Sequence, residues 1–398
     1  MTSISASEFM PDFTEPHFFD QVAGLTLDTE RLGYAVVSAY LVSLTALMYG
    51  LDVEIVRSQK AAKTTIGTFL DTFKKPDFYR IRQGSRVVHF WSSASETSVT
   101  AGGAREASDK TRTKPILHHA GVATPFGGAA TAKDLSILQA FASAKVNRVV
   151  VKPISGSSKK DIRANQTLAQ AQQYIMSSPD VVFIVEQYIK GTEVRMQVVG
   201  QSVVSTILQM PQHVVGDGLS TLAQLVDRRT EMRRTNPIRT HYLIDENKYF
   251  LRLLDRDIVP SMVPAVDQTI WLTNDTVVGP MTDHFDYSDR ISEAAKASAV
   301  ATAKCFGVKI TAIDAIIDRN GETFVLELNS KPGIDTACFP LQGKWNLDVP
   351  EAIVKLHFPK LKKPLRKVQR YDFLAMAEDY IRQTEKSVFK ARDYITFF

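Results

Sequence analysis

The chain has 398 residues, of which 44% are hydrophobic and 23% are charged, an ordinary composition for a globular protein of two or three domains. It excludes an intrinsically disordered chain. The formal net charge of +5 weakly favours anionic ligands, but the basic residues are spread out except near the C-terminus, so we expect no nucleic-acid partner. Cys305 and Cys338 form neither a CxxC motif nor a disulfide framework, which fits a reducing cytoplasm.

Residues 1–108 are expected to hold a polar leader and a small α/β substrate domain. Met1–Asp12 lacks the basic and apolar regions of a signal peptide. Tyr34–Leu51 is uncharged and just long enough to be considered as a membrane helix. Its hydroxyl groups and the charged strand that follows favour a buried helix instead, so we expect no membrane partner. Phe78–Arg82 and Arg86–Trp91 predict a hairpin.

The next part, residues 109–190, alternates helices and strands. The strand Val149–Pro153 includes Lys152 near its end and leads into a loop of small residues and lysines, 154–160. Backbone amides and lysines of such a loop suit phosphate oxygens, although a plain surface turn has the same composition. The other predicted elements are helices 109–119, 132–144 and 166–178 and strands 122–126 and 181–186.

Long strands dominate the part that follows. Glu193 and Arg195 share one face of the predicted strand Glu193–Val199, where they form either a buried ion pair or ligand contacts. A Ser-capped helix is predicted over 221–227. The basic stretch after it, Arg228–Arg239, is predicted to be a solvated helix or loop.

The C-terminal segment, residues 351–398, carries a basic cluster around Pro364 and then a helical pattern over Tyr371–Arg392. A charge run of this kind is usually a solvated face. The alternative is a surface that docks an acidic carrier or a partner subunit.

Residues 308–334 predict two strands joined by a tight turn. Alternating side chains indicate the first strand, and Asn320-Gly321 is a strong signal for a two-residue hairpin loop. Counting outward from that loop places Ile316 opposite Val325.

The same count places two acidic side chains together. Asp314 falls opposite Glu327, with Asn329 on the same face, and like charges in such a pair repel by about 0.5 kcal/mol. A divalent cation would reverse that repulsion, and carboxylate and amide oxygens suit Mg²⁺. A half-exposed hairpin with solvated acids is the alternative. The opposite face is apolar and suits a core: Ile313, Ala315, Ile317, Phe324, Leu326 and Leu328.

Five short motifs, in this order and spacing, resemble ATP-grasp carboxylate-amine ligases, most closely the ATP-grasp domain of bifunctional glutathione synthetase and cyanophycin synthetase. The resemblance covers about residues 105–345. The motifs are Asp109-Lys110, Val150-Val151-Lys152-Pro153, Val185 to Gly191 with Glu193-Val194-Arg195, Val214-Val215-Gly216-Asp217-Gly218 with Ser220-Thr221, and Ala312-Ile313-Asp314 with Leu326 to Ile334.

The resemblance implies an α/β (α+β) ATP-grasp fold, in which an N-terminal domain is followed by a lid subdomain, 109–190, and a C-terminal subdomain, 191–350, that clasp ATP. It implies ATP and Mg²⁺ as cofactors, with Mn²⁺ as an alternative metal. The implied ATP contacts are Lys110, Lys152, the phosphate loop with Gly156 and Lys160, the hinge of Glu186, Tyr188 and Ile189, and Glu193. The implied metal ligands are Asp314, Glu327 and Asn329.

Two departures from the family pattern concern cations. The phosphate loop keeps one glycine, Gly156, beside Lys159 and Lys160. An arginine of the family is also missing, and Leu272 stands in its place. Another cation must then take the role of this arginine, and the candidates are Arg195, Lys248 and Arg252. Of these, Arg195 and Lys248 are the predicted catalytic residues.

The expected function is ATP-dependent formation of an amide or peptide bond through an acyl phosphate. The expected substrates are a small-molecule carboxylate and an amine, such as an amino acid or peptide, or a carrier or precursor peptide. Relatives commonly form dimers or tetramers, so a cytoplasmic homodimer is expected. The alternatives are a regulatory ATP-binding protein and a kinase that forms no amide.

Overall fold

A computed structural model gives the structure of most of the chain. It describes residues 33–55, 79–98, 103, 107, 110–154, 162–234, 236, 258–272, 282–343, 345, 347–361 and 388–389. Within these residues, no helix has both the length and the apolar character needed to cross a membrane.

The N-terminal unit is a five-stranded antiparallel sheet with one long helix beside it. The helix α1, Gly33–Met48, packs its side chains into the same core as the sheet. The sheet order is β16-β1-β2-β3-β4. Its strands are β1 Asp52–Ile55, β2 Tyr79–Gln83, β3 Arg86–Trp91, β4 Ala94–Ser95 and β16 Val388–Phe389.

A second unit is a four-stranded sheet, the lid sheet, in the order β5-β8-β6-β7. Helix α2, Lys110–His119, precedes it, and helices α3 and α4 cover one side around Phe141. The bounds are β5 Gly127–Ala130, α3 Ser136–Ser143, β6 Val149–Pro153, β7 Arg163–Gln166, α4 Leu168–Met176 and β8 Phe183–Gln187. A complete capping box at Thr167 and Gln170 starts α4.

The third unit is the central sheet, five antiparallel strands in the order β13-β10-β9-β14-β15. Helix α6 covers one of its faces, and helices α1 and α8 reach the other. The bounds are β9 Gly191–Val199, β10 Ser202–Met210, β13 Asp283–Asp286, α6 Glu293–Cys305, β14 Ile310–Asp318, β15 Thr323–Asn329, α7 Asp335–Cys338 and α8 Asp348–His357.

The face toward α1 and α8 changes character along the strands. At one end Val199, Ile207 and Ile310 join the core of the N-terminal unit. Arg195 and Asp314 lie four residues farther along β9 and β14. They are on the same face because side chains alternate along a strand, and they are direct cross-strand partners. The sheet therefore anchors the N-terminal unit with one end of this face and presents polar side chains with the other.

A small two-stranded sheet, β11 His213–Val215 and β12 Thr269–Trp271, packs against helix α5, Leu222–Arg234. The helix is longer than predicted, and its basic residues are not all solvated. Arg229 and Arg233 are buried and both bind the buried carboxylate of Asp283. Burial works against the charge of that carboxylate, but the two guanidinium groups outweigh it and lower its pKa.

Most predicted elements that fall on the described residues are confirmed, and two are wrong. The predicted strand 122–126 is a loop, and the strand lies at β5 instead. Within the predicted helix Tyr371–Arg392, the described residues Val388 and Phe389 form strand β16, because they pair with the free edge of β1; the remainder lies outside the described residues. The predicted phosphate loop also lies largely outside them.

Candidate functional site

The hairpin of β14 and β15 has a different turn from the predicted one. Its loop has three residues, 319–321, closed by bonds between Asp318 and Glu322, and Gly321 adopts a φ of 83°. A shift in strand pairing follows between Asp314 and Ala315. Glycine tolerates that left-handed conformation without strain, which suits it to this turn type.

The turn and the shift compensate each other, so one prediction is confirmed and another is wrong. Asp314 does lie opposite Glu327. Between the turn and the shift, however, Ile316 faces Phe324 rather than Val325. Val325 therefore enters the core, and Leu326, predicted to do so, lines a cavity instead.

Asp314 is the most heavily bonded carboxylate of this region. Both of its oxygens accept hydrogen bonds from Arg195, with Nε to Oδ1 and Nη2 to Oδ2 each at 2.9 Å. Gln209 Nε2 donates to Oδ1 and Asn329 Nδ2 donates to Oδ2, both at 3.2 Å. A carboxylate has about four acceptor sites, so the neighbouring strands satisfy all of them.

Arg195 is the cation that relieves the repulsion between the paired acids. The charge of Asp314 is the main reason that the pKa of Arg195 is raised, and Asp335 and Glu327 act in the same direction. Arg195 thus forms an ion pair with Asp314, whereas the predicted ion pair was with Glu193. A bidentate guanidinium-carboxylate pair also fixes the orientation of both side chains.

Glu186 of the lid sheet holds two lysines. Glu186 is 5% exposed, and its carboxylate oxygens lie 2.9 Å from Lys114 Nζ and 2.7 Å from Lys152 Nζ. Burial by itself raises the pKa of Glu186, but the charges of Lys152 and Lys114 outweigh it and the net shift is downward. Burial also lowers the pKa of Lys114, whose Nζ donates to the backbone oxygen of Pro125 as well.

A cavity of about 360 Å³ lies between the lid sheet and the central sheet. Lys152 and Glu186 face it from the lid side, and Glu327 and Asn329 face it from β15. Four predicted site residues, far apart in sequence, therefore share one cavity. Its lining residues are Ala107, Thr113, Lys114, Lys152, Glu186 and 326–331.

The predicted hinge is only partly available for a ligand. The amide of Gln187 donates to Phe126 O at 2.7 Å, and the amide of Tyr188 donates to Arg148 O at 2.9 Å. An adenine base would then rely on other hinge groups, including the backbone of Ile189. Neither Tyr188, Ile189 nor Glu193 lines the cavity, and their nucleotide contacts stay predictions.

Several predicted site residues lie outside the described part of the structure. Lys110 begins helix α2, but its side chain is outside the described part of the structure. Gly156, Lys160, Lys248 and Arg252 also lie outside the described residues. Leu272, where the family arginine is missing, is a core residue with 2% exposure.

Two charged residues of the cavity wall were missed from the sequence, Lys114 and Lys331. Lys114 stands in the middle of a helix with no neighbouring motif, and only its position four residues after Lys110, on the same helix face, gave a signal. Lys331 lay inside a quoted motif without a role.

Asp314, Glu327 and Asn329, together called the acidic set, carry oxygen atoms of the kind that bind Mg²⁺. Glu327 is exposed to the cavity, and Asn329, whose Nδ2 binds Asp314, keeps its carbonyl oxygen for another partner. Carboxylate and amide oxygens fit a hard cation. Asp314, the third predicted metal ligand, does not line the cavity, and its acceptor sites are filled by Arg195, Gln209 and Asn329. Among the described residues, no cluster of three His, Cys, Asp or Glu side chains is arranged for a metal.

Comparison with known proteins finds a family model and relatives that match parts of this chain. Residues 107–240 match the family model described as an ATP-grasp domain. The glutathione biosynthesis bifunctional protein GshAB of Listeria innocua is 26% identical over 333 residues, or 80% of this chain and 42% of that protein. The protein of the same name from Desulfotalea psychrophila is 28% identical over 260 residues, or 59% of this chain and 32% of that protein.

A solved structure supports the same assignment. The crystal structure of a bifunctional glutathione synthetase from Pasteurella multocida aligns with a TM-score of 0.56 at 25% identity, over 71% of this chain and 41% of that one. The chain thus spans less than half the length of these relatives. It contains an ATP-grasp domain and has the ATP-grasp fold, as the resemblance in its sequence implied.

Proposed function

We propose that this protein is an ATP-dependent carboxylate-amine ligase, which forms an amide or peptide bond through an acyl phosphate. The observation that carries the proposal is the cavity that brings Lys152 and Glu186 of the lid sheet to Glu327 and Asn329 of the central sheet. Relatives named for glutathione biosynthesis support an amino acid or peptide substrate.

The charges of the cavity suit an anionic nucleotide. Three lysines and two glutamates line it, which leaves a net charge of +1. Glu186 neutralises one of its two lysines, so the cluster keeps one positive charge at a nearly buried position. Positioning and charge neutralisation account for most of the catalysis of phosphoryl transfer, and fixed charges in a partly dehydrated site serve both.

Glu327 and Asn329 are the proposed direct ligands of Mg²⁺, and Asp314 supports them from behind through Asn329 Nδ2. When bound, Mg²⁺ would neutralise charge on the phosphates. Mn²⁺, which accepts the same oxygen ligands, is the proposed alternative.

Arg195 is the proposed replacement for the family arginine, because Asp314 fixes its guanidinium beside the acidic set. We expect Arg195→Lys to lower kcat about tenfold to a hundredfold, since an ammonium cannot reproduce the bidentate pair. Steady-state ADP release measures the effect. Arg319→Lys, in the exposed turn of the same hairpin, is the control and should leave kcat unchanged. An unchanged kcat in Arg195→Lys would remove Arg195 from the proposal.

The proposed reaction is tested by ADP and phosphate release with Mg²⁺ and ATP against pooled amino acids and dipeptides, with mass spectrometry of each mixture. We expect release in at least one pool, with a product lighter by one water than its two precursors. A stable phosphorylated product without condensation would favour a kinase. Bound ATP without release in any pool, including carrier and precursor peptides, would favour a regulatory ATP-binding protein.

The wider proposal is a homodimer that works in the cytoplasm. It follows from the family resemblance and the cysteine content. Light scattering of the purified chain tests the oligomeric state, and a monomeric mass would contradict this part alone.

A further inference from the structure

Lys331 differs from the other lysines of the cavity wall. Lys114 and Lys152 both bind the carboxylate of Glu186. Lys331 lies with Nζ 4.2 Å from the centre of the Trp91 ring, and the described part of the chain gives it no carboxylate partner. An aromatic ring attracts a cation without cancelling its formal charge. Within the described residues, the positive charge of Lys331 is therefore not paired with an acid at the cavity.

The backbone that follows Lys331 is held from three directions. Ser93 of the N-terminal unit donates to the carbonyl oxygen of Pro332. Gln197 Nε2 of the central sheet donates to Gly333 O at 3.0 Å, and the amide of Ile334 donates to Ser38 Oγ of helix α1 at 3.1 Å. A side chain on such a fixed segment needs little reordering to bind a ligand.

Lys331 and the lysine pair on Glu186 belong to different units of the fold. Its aromatic partner Trp91 belongs to β3 of the N-terminal sheet, whereas Lys114, Lys152 and Glu186 belong to α2 and the lid sheet. Glu327 and Asn329 line the same cavity, on the strand that ends two residues before Lys331. An anion at Lys331 would thus lie near the N-terminal unit, whereas the lysine pair belongs to the lid side of the cavity.

We propose that Lys331, oriented by Trp91, binds a carboxylate of the substrate that does not take part in the reaction. This inference rests on the proposed function and narrows its substrate class to amino acids or peptides that carry a free carboxylate besides the reacting groups. Charge-assisted hydrogen bonds from an ammonium to a carboxylate are strong enough to select such substrates. A phosphate oxygen of ATP offers similar chemistry, so the test includes it.

The test uses the full chain labelled with 5-fluorotryptophan. The protein has three tryptophans, and Trp91→Phe identifies the ¹⁹F resonance of Trp91. The titrants are pooled amino acids and dipeptides, the same pools as C-terminal amides, and ATP alone, each with and without a non-hydrolysable ATP analogue and Mg²⁺. We expect the carboxylate pools to shift the Trp91 resonance at concentrations about tenfold lower than the amide pools.

Substitutions assign the response to Lys331. Lys331→Met should abolish the difference between carboxylates and amides, and Lys331→Arg should retain it. Lys355→Met is the matched control, because Lys355 also lies over an aromatic ring, Tyr49, at 5.5 Å, but is absent from the cavity wall. It should respond as the wild type does.

Two results would overturn the inference. One is an equal or absent response to carboxylates and amides in the wild type. The other is a Lys331-dependent response to ATP alone, which would assign the lysine to a phosphate. Because the resonance reports binding, a lack of ADP release in the ligation screen would contradict the proposed function and still leave a carboxylate response observable.

Discussion

Glu327→Ala is expected to lower ATP turnover about a thousandfold or more, while the protein remains folded. Glu327 supplies a carboxylate at the cavity surface between the lid sheet and β15. Its loss removes one of the two proposed direct metal ligands. The side chain is exposed, so its removal creates no cavity in a core and should change the free energy of unfolding by no more than about 0.5 kcal/mol.

The measurement is ADP release as a function of Mg²⁺ concentration, together with the melting temperature. Glu322→Ala is the matched control, because Glu322 is an exposed glutamate of the same hairpin that does not line the cavity. Its turnover should equal that of the wild type. Full turnover in Glu327→Ala at ordinary Mg²⁺ concentrations would reject the site.

Glu186→Gln is expected to destabilise the lid sheet by about 3 kcal/mol at neutral pH. The substitution keeps the shape of the side chain but leaves Lys114 and Lys152, with side chains 14% and 15% exposed, without their counter-charge. Breaking a buried ion pair in this way costs about 3 to 5 kcal/mol. The lower end of this energy range applies because both lysines reach the cavity, where water can solvate them.

The same pair predicts a pH dependence. The pKa of Glu186 is lower in the folded protein than its usual value of 4.5, so the unfolded state binds the proton more readily. The stabilisation is therefore present above about pH 4.5 and is lost as the pH falls through the folded pKa. The wild type should lose this contribution in acid, and Glu186→Gln should not.

Hydrogen exchange of the amides in β6 and β8 measures the stability of the lid sheet itself, at neutral and at acidic pH. Glu351→Gln is the control, since Glu351 pairs with Lys355 on the surface and such pairs contribute about 0 to 1 kcal/mol. Equal protection of β6 and β8 in the wild type and Glu186→Gln would show that the lysines do not depend on Glu186.

The sequence by itself determined most of the secondary structure and the resemblance to ATP-grasp domains. Periodicity alone located β9, β10 and the hairpin of β14 and β15, because alternation on a half-buried sheet is a strong local signal. The pairing of Asp314 with Glu327 was also correct, although the turn was not. A three-residue loop and a shift in pairing both follow from backbone geometry that composition does not specify.

The tertiary structure decided which charges meet. Glu186 was predicted as part of the hinge that contacts ATP, yet its side chain joins Lys114 and Lys152. Arg229 and Arg233 were predicted to be solvated, yet both are buried against Asp283. In the same way, Lys331 stands over Trp91, which is distant in sequence. A sequence shows which residues can carry charge, but the partner of each charge depends on contacts between units that are far apart along the chain, and those contacts form only when the sheets pack.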